Sequence, residues 1–357
     1  MPCVSNKRTK LITHPDRCVE TGDQIAMGKP IRQKTVFVLG AGAHIPYGFP
    51  SGPELAEIML GIHPTIDLSS ILSRLGSFTD LPTYPQFATA FGRSGNSSID
   101  AFIESRKDFA DQATMLVMSI LLNAEANYLS KEMYVRNNWF EYLWNALKCP
   151  PEEFQRHEIT FLTFNYDRLI EYMIARSLSN SYGQPMIEME SLVAQSKFVV
   201  HLHGSLSPCD FNTRTKVRLP RHGFGKQPLS FHELMEAALT KPIRFFWEEH
   251  SNTEEWAYAT QKLHEASRIY VLGVGSAVAP LKNLWKGGPK NHQDAARIFI
   301  CVKNLRQAQA ASIRNAMQYQ SPPELVQKYA DAYKPEINPN DGCLEVLGDH
   351  FDVNEFA

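Results

Sequence analysis

Five short apolar runs do most to limit what this chain can fold into. They are Thr35–Leu39 (TVFVL), Ile159–Phe164 (ITFLTF), Phe198–Leu202 (FVVHL), Ile269–Leu272 (IYVL) and Ile298–Val302 (IFICV). Each is rich in Val, Ile or Phe and scarcely alternates between apolar and polar residues, which predicts strands covered on both faces. Patterns of helical period separate most of them. Strand and helix in alternation predict an α/β fold, a Rossmann-like parallel sheet flanked by helices.

The first two runs lie much farther apart than a crossover needs. A βαβ connection takes a dozen or so residues, and the segment 61–158 is far longer. It opens with Pro/Ser/Gly-rich pieces and continues as "SIDAFIESRKDFADQATMLVMSILLNAEANYL" and "NNWFEYLWNAL", both apolar at helical spacing. We expect a helical insertion there, with Trp139 and Trp144 read as core. The division expected is an extension over 1–34, a core over 35–60 and 159–305, the insertion over 61–158, and a helical then irregular tail over 306–357.

Composition narrows the function classes. The hydrophobic fraction is 43% and the charged fraction 21%, as in soluble globular proteins. A formal net charge of -2 gives no sign of direct nucleic-acid binding. The apolar run Ala113–Leu122 is too short to span a bilayer, and the opening "MPCVSNKRTKLITHPDR" has no apolar segment of a signal peptide. No membrane association is expected. The cysteines at 3, 18, 149, 209, 301 and 343 form no CxxC knuckle, so we expect no metal and a reducing, cytoplasmic setting.

The first strand runs into "LGAGAHIPYGFPSGPELAEIML". Gly40 and Gly42 stand where a strand turns and a dinucleotide phosphate could approach the backbone. A full GxGxxG fingerprint fails at Ile45, and tight turns need glycine in any case. Ser51-x-x-Glu54 is a capping box with Pro53 in the first turn, so the helix is expected to begin near Gly52. His44–Pro50 then becomes a loop able to cover the reacting end of a nucleotide.

Other strand tips are polar as well. Thr163, Asn165 and Asp167 follow the second run, and Asp167 is also a possible N-cap for "RLIEYMI". Asn165 directly follows an apolar strand, where an amide needs hydrogen-bond partners. The third run ends in His201-Leu202-His203-Gly204-Ser205, and the fourth in Gly273, Gly275 and Ser276 of "VLGVGSAVAP". By period two, His201 and His203 share a side of their strand. We read His201 as a hydrogen-bonded supporting residue. After the fifth run, Lys303 and Asn304 occupy the tip, and Asn304 is the better candidate for contact with an adenosine ribose. Arg214, Lys216, Arg218, Arg221 and Lys226 form a basic stretch, read as a solvated loop or a surface for an acidic partner or phosphates.

In this order, the motifs resemble the SIR2 (sirtuin) family. They are Gly40-Ala41-Gly42 with Gly48-Phe49-Pro50, Thr163-Phe164-Asn165-Tyr166-Asp167, His203-Gly204-Ser205, and Gly273-Val274-Gly275-Ser276 with Pro280. The likeness covers the α/β core and not the insertion or the ends. The departures are informative. Two CxxC pairs that bind zinc in the family's protein deacylases are missing, with only Cys209 in that region. His44 stands where the family has Ser, Ser51-Gly52-Pro53 where it has Asp-Phe-Arg, and Phe164 where it has Gln. The chain is therefore more similar to divergent bacterial SIR2-like proteins that hydrolyse NAD+ in antiphage defence, and "SIDAFIE" looks like that subgroup.

The resemblance implies NAD+ as substrate, with the amides of Ala41, Gly42 and Ala43 and the Gly273–Gly275–Ser276 turn holding the diphosphate, near Thr163 and Pro50. It implies that Asn165 orients the nicotinamide ribose or water. Asp167 contacts the nicotinamide amide or holds the loop, and His203 acts as general base, for which an imidazole suits neutral pH. His44 is a further candidate for approach to the ribose. The bond broken has an oxocarbenium-like transition state and a leaving group that needs no acid. A homo-oligomer or a defence-system partner is expected to control such an activity. A protein deacylase and a non-catalytic NAD or ADP-ribose sensor are the alternatives, with a dehydrogenase a weaker one because of Ile45.

Overall fold

The computed structural model describes residues 29–74, 84–130, 138–206, 243–245, 253–275, 278–285, 296–301, 305, 307–317 and 342–351. Five parallel strands form one sheet: β1 (Thr35–Leu39), β2 (Ile159–Thr163), β3 (Val199–His201), β4 (Arg268–Leu272) and β5 (Arg297–Ile300). Their order is β3-β2-β1-β4-β5. The chain moves outward from β1 in one direction through β2 and β3, then returns to β1's other side for β4 and β5. The crevice between β1 and β4 is thus the topological switch point, where open α/β sheets bind ligands.

The register sets the site. Leu39 lies opposite both Thr163 and Leu272, and Thr163 lies opposite His201. These strands therefore end level with one another. Whatever follows each of them emerges along a single edge of the sheet.

Alternate residues of each strand bury into two apolar layers, which is why the sequence shows no polar alternation. On one face, Phe161, Phe37, Tyr270 and Phe299 are register partners across four strands. Their rings stack at 5.0, 5.1 and 4.9 Å. Each such pair contributes about 0.5–1.5 kcal/mol beyond its buried area. This face packs with the helical insertion, the helix Leu169–Tyr182 and the C-terminal helix Cys343–His350 in one core cluster. Phe351 lies edge-on to Phe37 and Tyr270 at 5.7 and 5.5 Å. The tail expected to become irregular thus returns to cover the sheet. On the other face, Val36, Val38, Leu162, Val200, Val271 and Ile300 pack against Trp256, Leu263 and Leu281.

The long insertion helix Ala110–Ser130 is buried along most of its length, including Ala113–Leu121. Among the described residues, no helix is long and apolar enough to cross a membrane. The last residues of the N-terminal extension are also fixed. The Ile31 N–H donates to His157 Nδ1 at 2.9 Å, and the Glu158 N–H donates to the Ile31 carbonyl at 2.8 Å.

Candidate nucleotide site at the switch point

After β1 the chain makes two short 3-10 turns, Ala41–Ala43 and Ile45–Tyr47, before the helix Gly52–Met59. Ser51 caps that helix in a full capping box with Glu54, as expected. Gly48, at φ +84, turns the chain between loop and cap. Pro50 immediately precedes the cap.

The glycines meet each other. A Cβ on Gly40 or Gly42 would fall 2.6 or 2.8 Å from the Gly273 carbonyl oxygen, and one on Gly273 would fall 1.9 Å from the Ala43 nitrogen. Gly273 also has φ +66, a conformation that favours glycine. The Gly42 N–H donates to the Gly273 carbonyl at 2.9 Å, and the Ala43 N–H donates to the Gly40 carbonyl at 3.0 Å. This corrects the expected phosphate cradle, because the amides of Gly42 and Ala43 are already used inside the turn. Of the expected trio, only the Ala41 N–H has no acceptor among the described residues. Glycine at 40, 42 and 273 is required by the approach of the β1 and β4 turns to one another. Among the described residues, nothing lies within 4 Å of a Cβ built on Gly275. Ser276, Lys303, Asn304 and the basic stretch lie outside the described residues.

The insertion holds this loop from above. The Trp139 indole N–H donates to the Ala43 carbonyl at 2.8 Å. The Tyr47 hydroxyl donates to Asn138 Oδ1 at 2.6 Å, and Asn138 is itself the N-cap of the helix Trp139–Leu147. Burial pushes the Tyr47 phenol well above its usual range, so it stays protonated and keeps donating. Trp139 is core, as read, and it also ties the insertion to the turn.

At the tip of β2, the Thr163 hydroxyl accepts from the Asn165 N–H at 3.0 Å. The Asn165 carboxamide reaches His44 Nδ1 at 3.1 Å. Asp167 faces the same nitrogen, with Oδ1 at 2.9 Å and Oδ2 at 3.1 Å. Asp167 Oδ1 also accepts from the Leu169 N–H at 3.1 Å. The N-cap of the following helix is Arg168, one residue beyond the expected Asp167. Burial raises the Asp167 carboxyl, but the charge and hydrogen bond of His44, the Leu169 N–H and the charge of His201 together hold it below its ordinary value. Next to it, Arg168 is clamped by the fully buried Glu125 of the insertion.

The two histidines of the third strand part company. His201 Nδ1 donates to the Asn165 carbonyl at 2.8 Å, and Nε2 meets Glu171 Oε1 at 2.6 Å. Both nitrogens face acceptors, the arrangement of an imidazolium paired with a carboxylate. His201 thus supports the Asn165 backbone from the insertion side. β3 ends at His201, so the period-two expectation fails for the next step. The His203 ring lies 5.6 Å from that of Phe164 and 6.0 Å from that of Trp256, both on the opposite face. Its carbonyl accepts from the Arg244 N–H at 2.7 Å, and Gly204 follows at φ +78.

His44, Asn165 and Asp167 are therefore one hydrogen-bonded group beside the joined glycine turns, with His203 against Phe164 at the same sheet edge. The contact of His44 with Asp167 was not foreseen. The only signal for it in the sequence was that His44 stands where the SIR2 motifs it was compared with carry Ser. Among the described residues, no group of three or more His, Cys, Asp or Glu is placed to hold a metal ion. Fold and site define an α/β protein with a Rossmann-like parallel sheet and a polar group at the tips of β1 and β2, beside the switch point. No protein-family model, curated protein or solved structure matches the chain.

Proposed function

We propose that this chain is an NAD+ glycohydrolase that converts NAD+ and water to nicotinamide and ADP-ribose. The observation that carries the reading is the contact of the Gly40–Gly42 and Gly273 turns at the switch point, with Asn165 and His44 hydrogen-bonded beside it. Dinucleotides bind parallel sheets at that place. The chemistry needs a bound diphosphate, an oriented ribose and a base for water, since nicotinamide departs as a neutral molecule. The half-buried backbone at Gly275 and the Ala41 N–H would meet phosphate oxygens, and the Asn165 carboxamide a ribose hydroxyl or water. A freely running activity of this kind would drain its host of NAD+. Control by self-assembly or a partner protein therefore belongs to the proposal, in keeping with a role in bacterial antiphage defence.

Nicotinamide release from NAD+ by the full chain tests the reading, measured with and without an acyl-lysine peptide. Peptide-independent release that falls at least tenfold in Asn165→Ala supports hydrolysis. Release only with peptide points to deacylation. Binding of ADP-ribose without turnover points to a sensor, and neither binding nor release ends the proposal.

A further inference from the structure

His44 is 2% exposed, and among the described residues its ring is hydrogen-bonded at Nδ1 alone. A carboxylate can satisfy a ring nitrogen only when that nitrogen carries the proton, so Nδ1–H donates to Asp167 and a neutral ring keeps its lone pair on Nε2. Asn165 Nδ2 stands 3.1 Å from the same ring nitrogen, and the carboxamide accepts from that N–H once its nitrogen and oxygen are exchanged by an amide flip. Nε2 is buried and has no hydrogen-bond partner among the described residues. A buried basic nitrogen without a donor is costly unless a ligand or a water supplies one. Carboxylate, imidazole and an uncommitted far nitrogen form the arrangement that prepares a general base.

We infer that His44 is the proton acceptor of the site, a catalytic residue, and that Asp167 is its positioning residue. The inference rests on the reading of the site as NAD-cleaving. The bond between ribose C1′ and the pyridinium nitrogen breaks, and its electron pair stays on nicotinamide. A water oxygen bonds to C1′, and its proton passes to His44 Nε2. The imidazolium, stabilised by Asp167, then returns the proton to solvent. NAD+ and water give nicotinamide, ADP-ribose and one proton. His201 is excluded from this role, since both of its nitrogens already face oxygens. His203 lies toward Phe164 and Trp256, on the other face of the sheet from His201 and its partner Glu171. It is left to shape the wall of the site.

The test compares wild type, His44→Gln, Asp167→Asn and His203→Gln as full chains, by steady-state NAD+ cleavage and by [15N]histidine spectra with the uncleavable analogue carba-NAD. Removing a general base costs about 10²–10⁴-fold. His44→Gln is expected to lose kcat in that range with KM within a few-fold, and His203→Gln to lose far less. Asp167→Asn is expected to lose kcat while the His44 ring shifts toward the tautomer with its proton on Nε2, a change that a merely structural carboxylate would not produce. Should His44→Gln fail to fold, Asp167→Asn and the wild-type spectra carry the test. Carba-NAD must move the His44 Nε2 resonance. Cleavage by His44→Gln at near wild-type kcat, or carba-NAD binding that leaves His44 unmoved, overturns the inference and spares the NAD-cleaving reading. A chain that neither binds carba-NAD nor cleaves NAD+ overturns both.

Discussion

Trp139 and Ala43 are joined by a 2.8 Å hydrogen bond from the indole N–H to the backbone carbonyl, buried from solvent. It links the helical insertion to the turn that follows β1. Trp139→Phe keeps an aromatic ring and removes the donor. A buried carbonyl left without its partner costs about 1–3 kcal/mol. Urea unfolding is expected to show a loss in that range, and carba-NAD affinity is expected to fall as the turn loosens.

Gly273 and Gly48 both sit at positive φ but differ in their surroundings. A Cβ at 273 lands on the Ala43 backbone, whereas one at 48 meets nothing within 4 Å among the described residues. Gly48→Ala is expected to show only left-handed strain, about 1–3 kcal/mol. Gly273→Ala must in addition force the two turns apart. It is expected to cost about 1–3 kcal/mol more through overpacking, or to leave no soluble protein. Thermal melts of the two variants side by side check the contrast.

His157 makes stability depend on pH. Its Nδ1 accepts from the Ile31 N–H, and its Nε2–H donates to the Leu147 carbonyl at 3.0 Å, so the folded state requires the neutral ring. Burial lowers its pKa from 6.5 to about 4. Between those values the unfolded chain binds a proton that the folded chain does not. Stability is therefore held above the ordinary imidazole value and drains as pH falls toward 4. The contribution between pH 7 and 5 is on the order of 2 kcal/mol. Denaturant titrations across that window should show it, and His157→Gln should flatten the slope while lowering stability at pH 7.

Glu125 and Arg168 form a pair in which the carboxylate is fully buried and the guanidinium 12% exposed. Burial raises the Glu125 carboxyl and Arg168 opposes that rise only in part. Glu125→Leu strands the cation beside Asp167 and is expected to destabilise by about 3 kcal/mol. The double variant Glu125→Leu/Arg168→Met should recover much of that loss, measured as a coupling energy in a double-mutant cycle.

The strand Thr35–Leu39 and the capping box at Ser51 were legible because both are local: an unbroken apolar run, and two side chains three residues apart. The polar strand tips were legible for a related reason, since a polar residue straight after a buried strand has few places to go. The pairing of His44 with Asp167 spans 123 positions and leaves no periodic trace. The divergence of His201 from His203 depends on β3 ending one residue early, and boundary shifts of that size are the least predictable feature of a strand. The glycines were read as room for a phosphate. The structure shows them as room for each other, and no single turn examined by itself could reveal that.

The level ending of β1, β2, β3 and β4 has an evolutionary corollary. Adding or deleting one residue inside any of these strands would swap its two apolar layers and throw its terminal polar group out of line with the rest. Lengthening the connections would leave the alignment untouched. Innovation in this scaffold is thus channelled into the segments between strands, and the large insertion after β1 is the mark such channelling would leave.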